Sequence, residues 1–339
     1  MRKMLAACLL LGALPVLAQP IPPPAVTAEN GIIRPPYTDA PEYAINSAVP
    51  QGDIREFIMY SEDSKIYPGI VRIRELKRDQ HDNNAIVPGD TISGPGRYER
   101  HVWVYIPKQV KPNAPFMVVQ DGHGYINRMA PVLDNMIAQH RVPAMIVVAP
   151  DSGGSDAQGS QRGLEYDTLS DRYSNWVESE LLPAVTKNYG VTFTTDPEGR
   201  AAMGGSSGAA AAFTMAWYHP ERYHKVLSYS GTFVNQAWPV DPKTPRGAWE
   251  YHATLIPKAA KKPIRIWMHV GEKDNRFDNP ESTWHNWPLA NNRMAAVLKK
   301  KGYDYKYVFA MEGTHTQPQV IRNTLPAALE WLWRDYPKD

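Results

Sequence analysis

The stretch RAAMGGSSGAAAAF, residues 200–213, changes character twice along its length. It begins as a short apolar run, passes through a cluster of glycine and serine, and continues as an alanine-rich segment. Short apolar runs are typical of strands that are buried on both faces of a parallel sheet, whereas alanine favours helix. The stretch therefore predicts a buried strand, a sharp turn at residues 204–208 and a helix.

The sequence on either side repeats this alternation of strand and helix. Further buried strands are predicted at APFMVVQDG (114–122), PAMIVVAP (143–150), KVLSYSG (225–231), PIRIWMHVG (263–271) and DYKYVFA (304–310), and the last helix at TLPAALEWLWRDY (324–336). Strands that alternate with helices predict a doubly wound, mostly parallel α/β sheet. The strand RYERHVWVYIP (97–107) and the β-rich sequence before it predict an antiparallel edge to that sheet.

The composition of the chain changes along its length, and these changes predict its domain organisation. We predict a signal peptide at residues 1–18, a proline-rich arm or linker at 19–52, an N-terminal β-rich extension at 53–96 and an α/β domain at 97–339. The arm lacks any periodicity of apolar residues, which favours an extended spacer over a packed element.

The first residues have the pattern of a bacterial secretory signal. Arg2 and Lys3 precede an apolar region, and small residues up to Ala18 form a cleavage site, which predicts a periplasmic or secreted protein. Cleavage there removes Cys8, the only cysteine, and leaves 35 basic and 35 acidic residues. We therefore expect no disulfide and no nucleic-acid partner, and no later run is long and apolar enough to span a membrane. The sequence leaves the oligomeric state open.

The turn at residues 204–208 matches the pattern G-x-S-x-G between a strand and a helix. Because such a turn is very sharp, the residues two positions before and two positions after the serine must have almost no side chain. Ser206 has glycine at both positions, whereas Ser207 is followed two residues later by alanine. We predict that Ser206 is a nucleophile and that Ser207 contributes only its backbone amide; the alternative is a helix cap rich in glycine and serine.

A nucleophilic serine needs a base and an acid that orients the base. Asp274 follows the predicted strand 263–271, and His315 follows the strand 304–310. Because the carboxyl ends of neighbouring parallel strands lie at one edge of a sheet, these side chains should converge on Ser206. We predict the catalytic triad Ser206, His315 and Asp274. Asp278, in the same loop as Asp274, is the alternative acid.

The tetrahedral intermediate of acyl transfer also needs backbone amides that stabilise its oxyanion. The loop VVQDGHGY (118–125) follows another buried strand, and its glycines allow the backbone to approach a substrate oxygen. We predict an oxyanion hole formed by the amides of His123 and Ser207. The chain has no recognisable metal-binding, paired-carboxylate or phosphate-binding motif, so we expect no metal and no cofactor.

These motifs together resemble those of the esterase D/enterochelin esterase-like family of α/β hydrolases, which includes feruloyl and acetylxylan esterases. The motifs that carry the resemblance are QDG (120–122), RGLEYD (162–167), GGSSGA (204–209), VGEKDN (270–275) and GTH (313–315). The resemblance extends over residues 97–336. The stretches SEDSKIYPG (61–69) and STWHNWPLANNRMAAVLKKKGYDYKYVF (282–309) resemble an exported branch of the family. The resemblance implies an α/β-hydrolase fold with an N-terminal β extension, a catalytic domain at residues 97–339 and the catalytic roles assigned above.

Two further groups of residues are candidates for the substrate pocket. The resemblance places RGLEYD beside the active site, which makes Arg162, Glu165 and Tyr166 candidates; the alternative is a surface helix start with a local salt bridge. Trp284 and Trp287 follow the loop of Asp274 and could form an aromatic rim for a sugar or phenolic ring. Their alternative role is packing between helices.

Taken together, the sequence predicts a secreted serine carboxylester hydrolase that works through an acyl-enzyme. The first candidate substrates are feruloyl or acetyl esters of plant polysaccharide. The alternatives are an enterochelin-type siderophore trilactone esterase, an acyltransferase with the same triad, and a non-catalytic carbohydrate-binding protein on a hydrolase fold. The acyl and alcohol groups of the substrate are not decided by the sequence.

Overall fold

A computed structural model describes residues 30–73, 93–154 and 158–338 of the chain. The predicted signal peptide, residues 1–18, lies outside the described residues, as does the first part of the predicted arm. The assignment of that peptide therefore stays a prediction.

Nine strands of the described residues form one sheet, in the order β1-β11-β10-β9-β8-β6-β7-β5-β2. The strands are β1 (Asn30–Ile33), β2 (Asp53–Tyr60), β5 (Glu99–Ile106), β6 (Phe116–Val119), β7 (Ile146–Pro150), β8 (Arg200–Gly205), β9 (Lys225–Tyr229), β10 (Arg265–Lys273) and β11 (Asp304–Thr314), while β3 (Ile70–Arg72) and β4 (Ser93–Pro95) pair separately. The seven strands from β1 to β7 in this spatial order are parallel to one another. Strand β5 pairs antiparallel with β7, and β2 pairs antiparallel with β5. The predicted mostly parallel sheet with an antiparallel edge is confirmed.

Helices cover both faces of this sheet. They are α1 (Ile126–Ala138), α2 (Gln161–Tyr166), α3 (Arg172–Trp176), α4 (Leu182–Tyr189), α5 (Ser207–Tyr218), α6 (Ile256–Lys258), α7 (Trp287–Lys300) and α8 (Pro318–Leu332). The apolar side chains of α1 and α8 pack into one core cluster and those of α5 and α7 into the other, as a doubly wound fold requires. Within the described ranges, no helix combines the length and apolar character needed to cross a lipid bilayer.

The central strands are buried between these helical layers. All residues of β6, β7 and β8 are buried, which explains why their sequences are continuous apolar runs without alternation. Helix α8 begins at Pro318, earlier than the predicted stretch 324–336, because proline is well accommodated in the first turn of a helix.

The described part of the predicted arm, residues 30–52, packs against the α/β body and does not act as a free spacer. Strand β1 extends the parallel sheet beyond β11, and the hydroxyl of Tyr37 donates a hydrogen bond of 2.5 Å to the carbonyl of Met311. On the other side of the segment, the side-chain amide of Asn135 in α1 donates a hydrogen bond of 2.9 Å to the carbonyl of Glu42. The acceptors of these hydrogen bonds are backbone carbonyls. The composition of the arm therefore does not predict that it packs against the body.

Candidate active site

The turn between β8 and α5 holds Ser206 in a strained backbone conformation. Its φ and ψ angles are 56° and −127°, a region that residues with a side chain rarely adopt. A Cβ atom added at Gly204 would lie 2.4 Å from the carbonyl carbon of Gly208, so the turn closes only with glycine at residue 204. The half-buried Ser206 therefore lies at the carboxyl edge of the sheet, where the G-x-S-x-G pattern predicts it.

Asp274 and His315 meet at the same edge. His315 Nδ1 lies 2.5 Å from Asp274 Oδ1. The two loops approach because the pairing of β10 with β11 shifts after Gly271, whose added Cβ would lie 2.3 Å from the carbonyl oxygen of Gly313. The structure thus brings together the histidine and the acid that the sequence predicts, whereas Asp278 is exposed farther along the loop.

Ser230, the residue directly after β9, joins this pair to the loop that carries the histidine. Its hydroxyl donates a 2.6 Å hydrogen bond to Asp274 Oδ2 and accepts one of 3.0 Å from the amide of Thr316. The sequence analysis did not single out Ser230. Its position at the carboxyl end of a buried strand is the signal that it shares with Asp274 and His315.

The carboxyl group of Asp274 is buried, with an exposed fraction of 1%. Burial raises its pKa, but the hydrogen bond and charge of His315 and the hydrogen bond from Ser230 outweigh burial, so that the pKa lies below its usual value. Asp274 is therefore ionised at neutral pH. An ionised acceptor at Nδ1 fixes the proton of a neutral imidazole on that nitrogen and leaves Nε2 as the basic atom.

Ser206 and His315 line one cavity of about 750 Å³. Its walls combine apolar side chains such as Met129 and Leu325 with the ring of Tyr125. The ring of Trp287 packs edge-on against the imidazole of His315, with the ring centroids 5.8 Å apart. The serine and the histidine are therefore accessible to the same small molecule, and the histidine ring is supported from one side.

The two amides predicted for the oxyanion hole have different surroundings. Ser207 is the first residue of α5, so its amide has no acceptor one turn earlier in the helix. The amide of His123 donates to Asp151 Oδ1 at 3.1 Å, and the Nδ1 atom of the same histidine lies 2.7 Å from that oxygen. Asp151 directly follows β7 and lines the cavity, and the sequence analysis missed it.

The three predicted pocket residues of RGLEYD have different environments. Arg162 lines the cavity and forms an ion pair of 2.7 Å with Asp121. Glu165 is buried and holds the guanidinium of Arg100 at 2.5 and 2.8 Å. Tyr166 is also buried, and its hydroxyl accepts a 3.3 Å hydrogen bond from the amide of Asp121. Only Arg162 can meet a substrate, while the other two support the wall behind it.

The two predicted rim tryptophans lie away from the cavity lining. Trp284 is 38% exposed and packs under the guanidinium of Arg246, 5.5 Å from its ring centroid. Trp287 is buried, because it begins α7 and fills the space between that helix and His315. Packing is thus the observed role of Trp287, and neither ring forms a rim at this cavity.

A family model described as "Putative esterase" matches residues 96–332 of the chain. No curated protein has a significantly similar sequence.

Several solved structures share the fold. The enterobactin esterase FES from Shigella flexneri, crystallised in the presence of enterobactin, has a TM-score of 0.57 at 20% identity, covering 85% of this chain and 61% of that one. A ferulic acid esterase has a TM-score of 0.55 at 15% identity over 84% of this chain and 99% of that one. The feruloyl esterase module from Clostridium thermocellum, complexed with sinapinate, has a TM-score of 0.51 at 14% identity over 92% and 98%.

Proposed function

The chain belongs to the esterase family whose model spans residues 96–332, and from that premise we propose that it is a serine carboxylester hydrolase with the catalytic triad Ser206, His315 and Asp274. The observation that carries the triad is the 2.5 Å contact between His315 Nδ1 and Asp274 beside a strained serine that lines the same cavity. Neither partner is near the other in the sequence, so the contact is specific to the fold.

In the proposed mechanism, Ser206 Oγ attacks the ester carbonyl carbon while His315 Nε2 takes the hydroxyl proton. Asp274 stabilises the imidazolium that results. The tetrahedral intermediate collapses as its bond to the alcohol oxygen breaks, and the imidazolium returns the proton to that alcohol. Water, activated by the same histidine, then attacks the acyl-enzyme, which releases the carboxylic acid and restores the serine.

The developing oxyanion would be stabilised by the Ser207 amide at the positive end of α5. The amide of His123 can contribute only when the substrate oxygen replaces Asp151 as its acceptor. We therefore assign Ser207 as the permanent donor of the hole and His123 as a donor that substrate binding releases.

For the substrate, we propose feruloyl or acetyl esters of plant polysaccharide. This proposal is supported by a fold shared over nearly the full length of two ferulic or feruloyl esterase chains, and by a cavity with both aromatic and aliphatic walls. A siderophore trilactone is the second candidate, because the enterobactin esterase from Shigella flexneri shares the fold. Rates with methyl ferulate, acetylated xylan and a catecholate trilactone would rank the three.

The triad is tested by replacing the serine. We expect Ser206→Ala to abolish hydrolysis of p-nitrophenyl acetate and labelling by a serine-directed phosphonate, because both need the Oγ atom of residue 206. Ser207→Ala should keep the phosphonate label, since Ser206 Oγ is intact. The matched control is Ser179→Ala, an exposed serine between α3 and α4, which should match the wild type. A label on Ser207, or full activity of Ser206→Ala, would contradict the assignment.

A further inference from the structure

The N-terminal segment of residues 30–44 forms part of the wall of the catalytic cavity. Its Tyr43 lines the same cavity as Ser206 and His315. This segment comes before the residues matched by the esterase family model, which begin at residue 96. The wall that it provides is therefore a feature of this chain that the family match does not describe.

Several bonds fix this segment to α8. Arg322 Nε donates to Asp39 Oδ1 at 2.7 Å, and the carbonyl of Arg322 accepts a 3.1 Å bond from the amide of Ala40. The side chain of Asn323 donates to the carbonyl of Thr38 at 2.9 Å. Since α8 also lines the cavity, these bonds hold the segment at a fixed distance from the catalytic residues.

A second set of bonds fixes the segment to α1 and the turn after it. Glu42 forms an ion pair of 2.5 Å with Arg141, and its carbonyl accepts from Asn135 at 2.9 Å. Tyr43 differs from these neighbours, because its hydroxyl has no hydrogen-bond partner among the described residues. The segment is thus held by its other residues, and the hydroxyl of Tyr43 is available to a ligand.

Arg128 lies on α1, the helix that contacts the turn at Pro41–Tyr43. The other two cavity arginines have carboxylate partners, since Arg162 pairs with Asp121 and Arg322 with Asp39. Arg128 lines the cavity, is exposed and has no carboxylate partner in the described ranges. The remaining cavity carboxylate, Asp151, is engaged by His123. One guanidinium is therefore left to bind a charged ligand.

Burial raises the pKa of Tyr43. The positive charge of Arg322 opposes that rise, the negative charge of Asp39 adds to it, and the positive charge of Arg128 opposes it. Tyr43, Arg128 and Arg322 all line the cavity. Because the phenol stays protonated at neutral pH, it can donate a hydrogen bond together with the guanidinium of Arg128.

We propose that Tyr43 and Arg128 form a subsite that binds a negatively charged group of the ester substrate, a carboxylate in the simplest case. A guanidinium can donate two parallel hydrogen bonds to a carboxylate, and the phenol adds a third donor. This inference rests on the proposed esterase function. It adds that the substrate carries a carboxylate. In the feruloyl and acetyl esters proposed above this group belongs to the alcohol part, and a carboxylate on the acyl part would mean a different acyl group.

Two pairs of substrates distinguish a carboxylate on the acyl part from one on the alcohol part. Mono-p-nitrophenyl glutarate and p-nitrophenyl butyrate differ in a carboxylate on the acyl part, while 4-acetoxybenzoate and its methyl ester differ in one on the alcohol part. For each pair the measured quantity is the ratio of kcat/KM for the charged ester to that for the neutral ester. We expect the wild type to favour the charged member in one pair, and Arg128→Gln to lower that ratio about tenfold.

The other variants separate charge from shape. Arg128→Lys should restore part of the ratio because it keeps the charge, and Tyr43→Phe should lower the ratio about threefold because it removes one donor. The control is Arg97→Gln, an exposed arginine outside the cavity, which should leave the ratio unchanged. Equal ratios in the wild type and Arg128→Gln for both pairs would overturn the subsite. If the esterase proposal itself is wrong, the Ser206→Ala variant will still hydrolyse the neutral esters. The two failures can therefore be distinguished.

Discussion

Ser206 shows how much of the site depends on the backbone of one residue. Its φ of 56° is unfavourable for a residue with a side chain, at a cost of about 1–3 kcal/mol. The conformation persists because its backbone is held on both sides: its amide donates to the carbonyl of Tyr229 at 2.9 Å, and its carbonyl accepts from Thr232 at 3.1 Å. Strand β9 and the loop after it therefore hold the proposed nucleophile in place.

The first prediction concerns the acid of the triad. Asp274→Asn should lower kcat for p-nitrophenyl acetate by roughly 10⁴, because the amide cannot hold the imidazole in the required tautomer. Asp278→Asn is the matched control in the same loop and should keep most activity, since its side chain is exposed. The measurement is steady-state kinetics with melting temperatures for both variants. A dead Asp278→Asn beside an active Asp274→Asn would show that the acid is wrongly assigned.

The second prediction concerns Ser230 as a positioning residue. Ser230→Ala removes a short hydrogen bond to Asp274 Oδ2 and the acceptor of the Thr316 amide, so kcat should fall about tenfold. The loss of that bond should also raise the pKa of Asp274, which shifts the acid limb of the pH profile of kcat to higher pH.

Ser228→Ala is the matched control for Ser230→Ala. It lies in β9, is equally buried, and its hydroxyl has no partner among the described residues. We expect its kcat and pH profile to equal those of the wild type. Identical pH profiles for the two variants would leave Ser230 with a structural role only.

At the scale of elements, the turn works because β8 and α5 approach more closely than side chains allow. A Cβ atom at Gly204 in β8 would meet the backbone of α5 at 2.4 Å. One at Gly208 in α5 would lie 2.9 Å from the Cβ of Gln120, the residue after β6. Contacts under 3.0 Å with backbone cannot be relieved by turning a side chain. The strand and the helix would have to separate, which would move Ser206 and the Ser207 amide together.

The third prediction follows from this contact. Gly204→Ala should destabilise the protein by about 3 kcal/mol and lower activity, because overpacking forces the backbone to shift. Gly31→Ala in β1 is the control, since a Cβ there meets nothing within 4 Å. Urea denaturation and p-nitrophenyl acetate kinetics measure the two effects. Wild-type stability of Gly204→Ala would contradict the close approach of β8 and α5.

At the scale of the whole molecule, three histidines of the described residues are buried, each in a different part of the chain. Burial lowers the pKa of His252 to about 3, of His269 to about 4 and of His285 to about 3. All three are therefore neutral in the folded protein near pH 6, while their unfolded pKa is about 6.5. The buried carboxyl of Asp167 acts in the opposite direction, because burial raises its pKa to about 6.

The fourth prediction is that stability falls on acidification from about pH 6.5 to about pH 4.5. Within this window the unfolded chain binds protons that the folded histidines do not, so each contributes a loss of about 1 kcal/mol per pH unit. Asp167 offsets part of this loss, because its folded form binds a proton that the unfolded form releases. The free energy of unfolding, measured by urea denaturation between pH 4.5 and 7.5, should show the slope.

Two variants check the sign of each contribution. His252→Asn should flatten the dependence of the unfolding free energy on pH, because one group that resists protonation is lost. Asp167→Asn should steepen it, because the opposing group is lost. A pH dependence that is the same in both variants would show that neither buried group titrates as described.

The local sequence determined the elements and the chemical groups. Continuous apolar runs specified the parallel strands, and glycine at residues 204 and 208 singled out Ser206 over Ser207 as the predicted nucleophile, because both patterns arise from sterics within a few residues. Asp274 and His315 could be predicted as well, since the carboxyl ends of parallel strands converge in this kind of sheet. The family match and the parallel sheet confirm the class of enzyme and its fold.

Only the tertiary structure decided the contacts between segments that are distant in the chain. Strand β1 and Tyr43 lie in a stretch without periodicity of apolar residues. The sequence did not predict the strand, because main-chain pairing to an edge strand needs no particular side chain. The Asp151 contact to His123 and the Ser230 contact to Asp274 join residues that are 28 and 44 positions apart in the chain. Trp287 was placed behind His315 by helix packing, which sequence spacing does not encode.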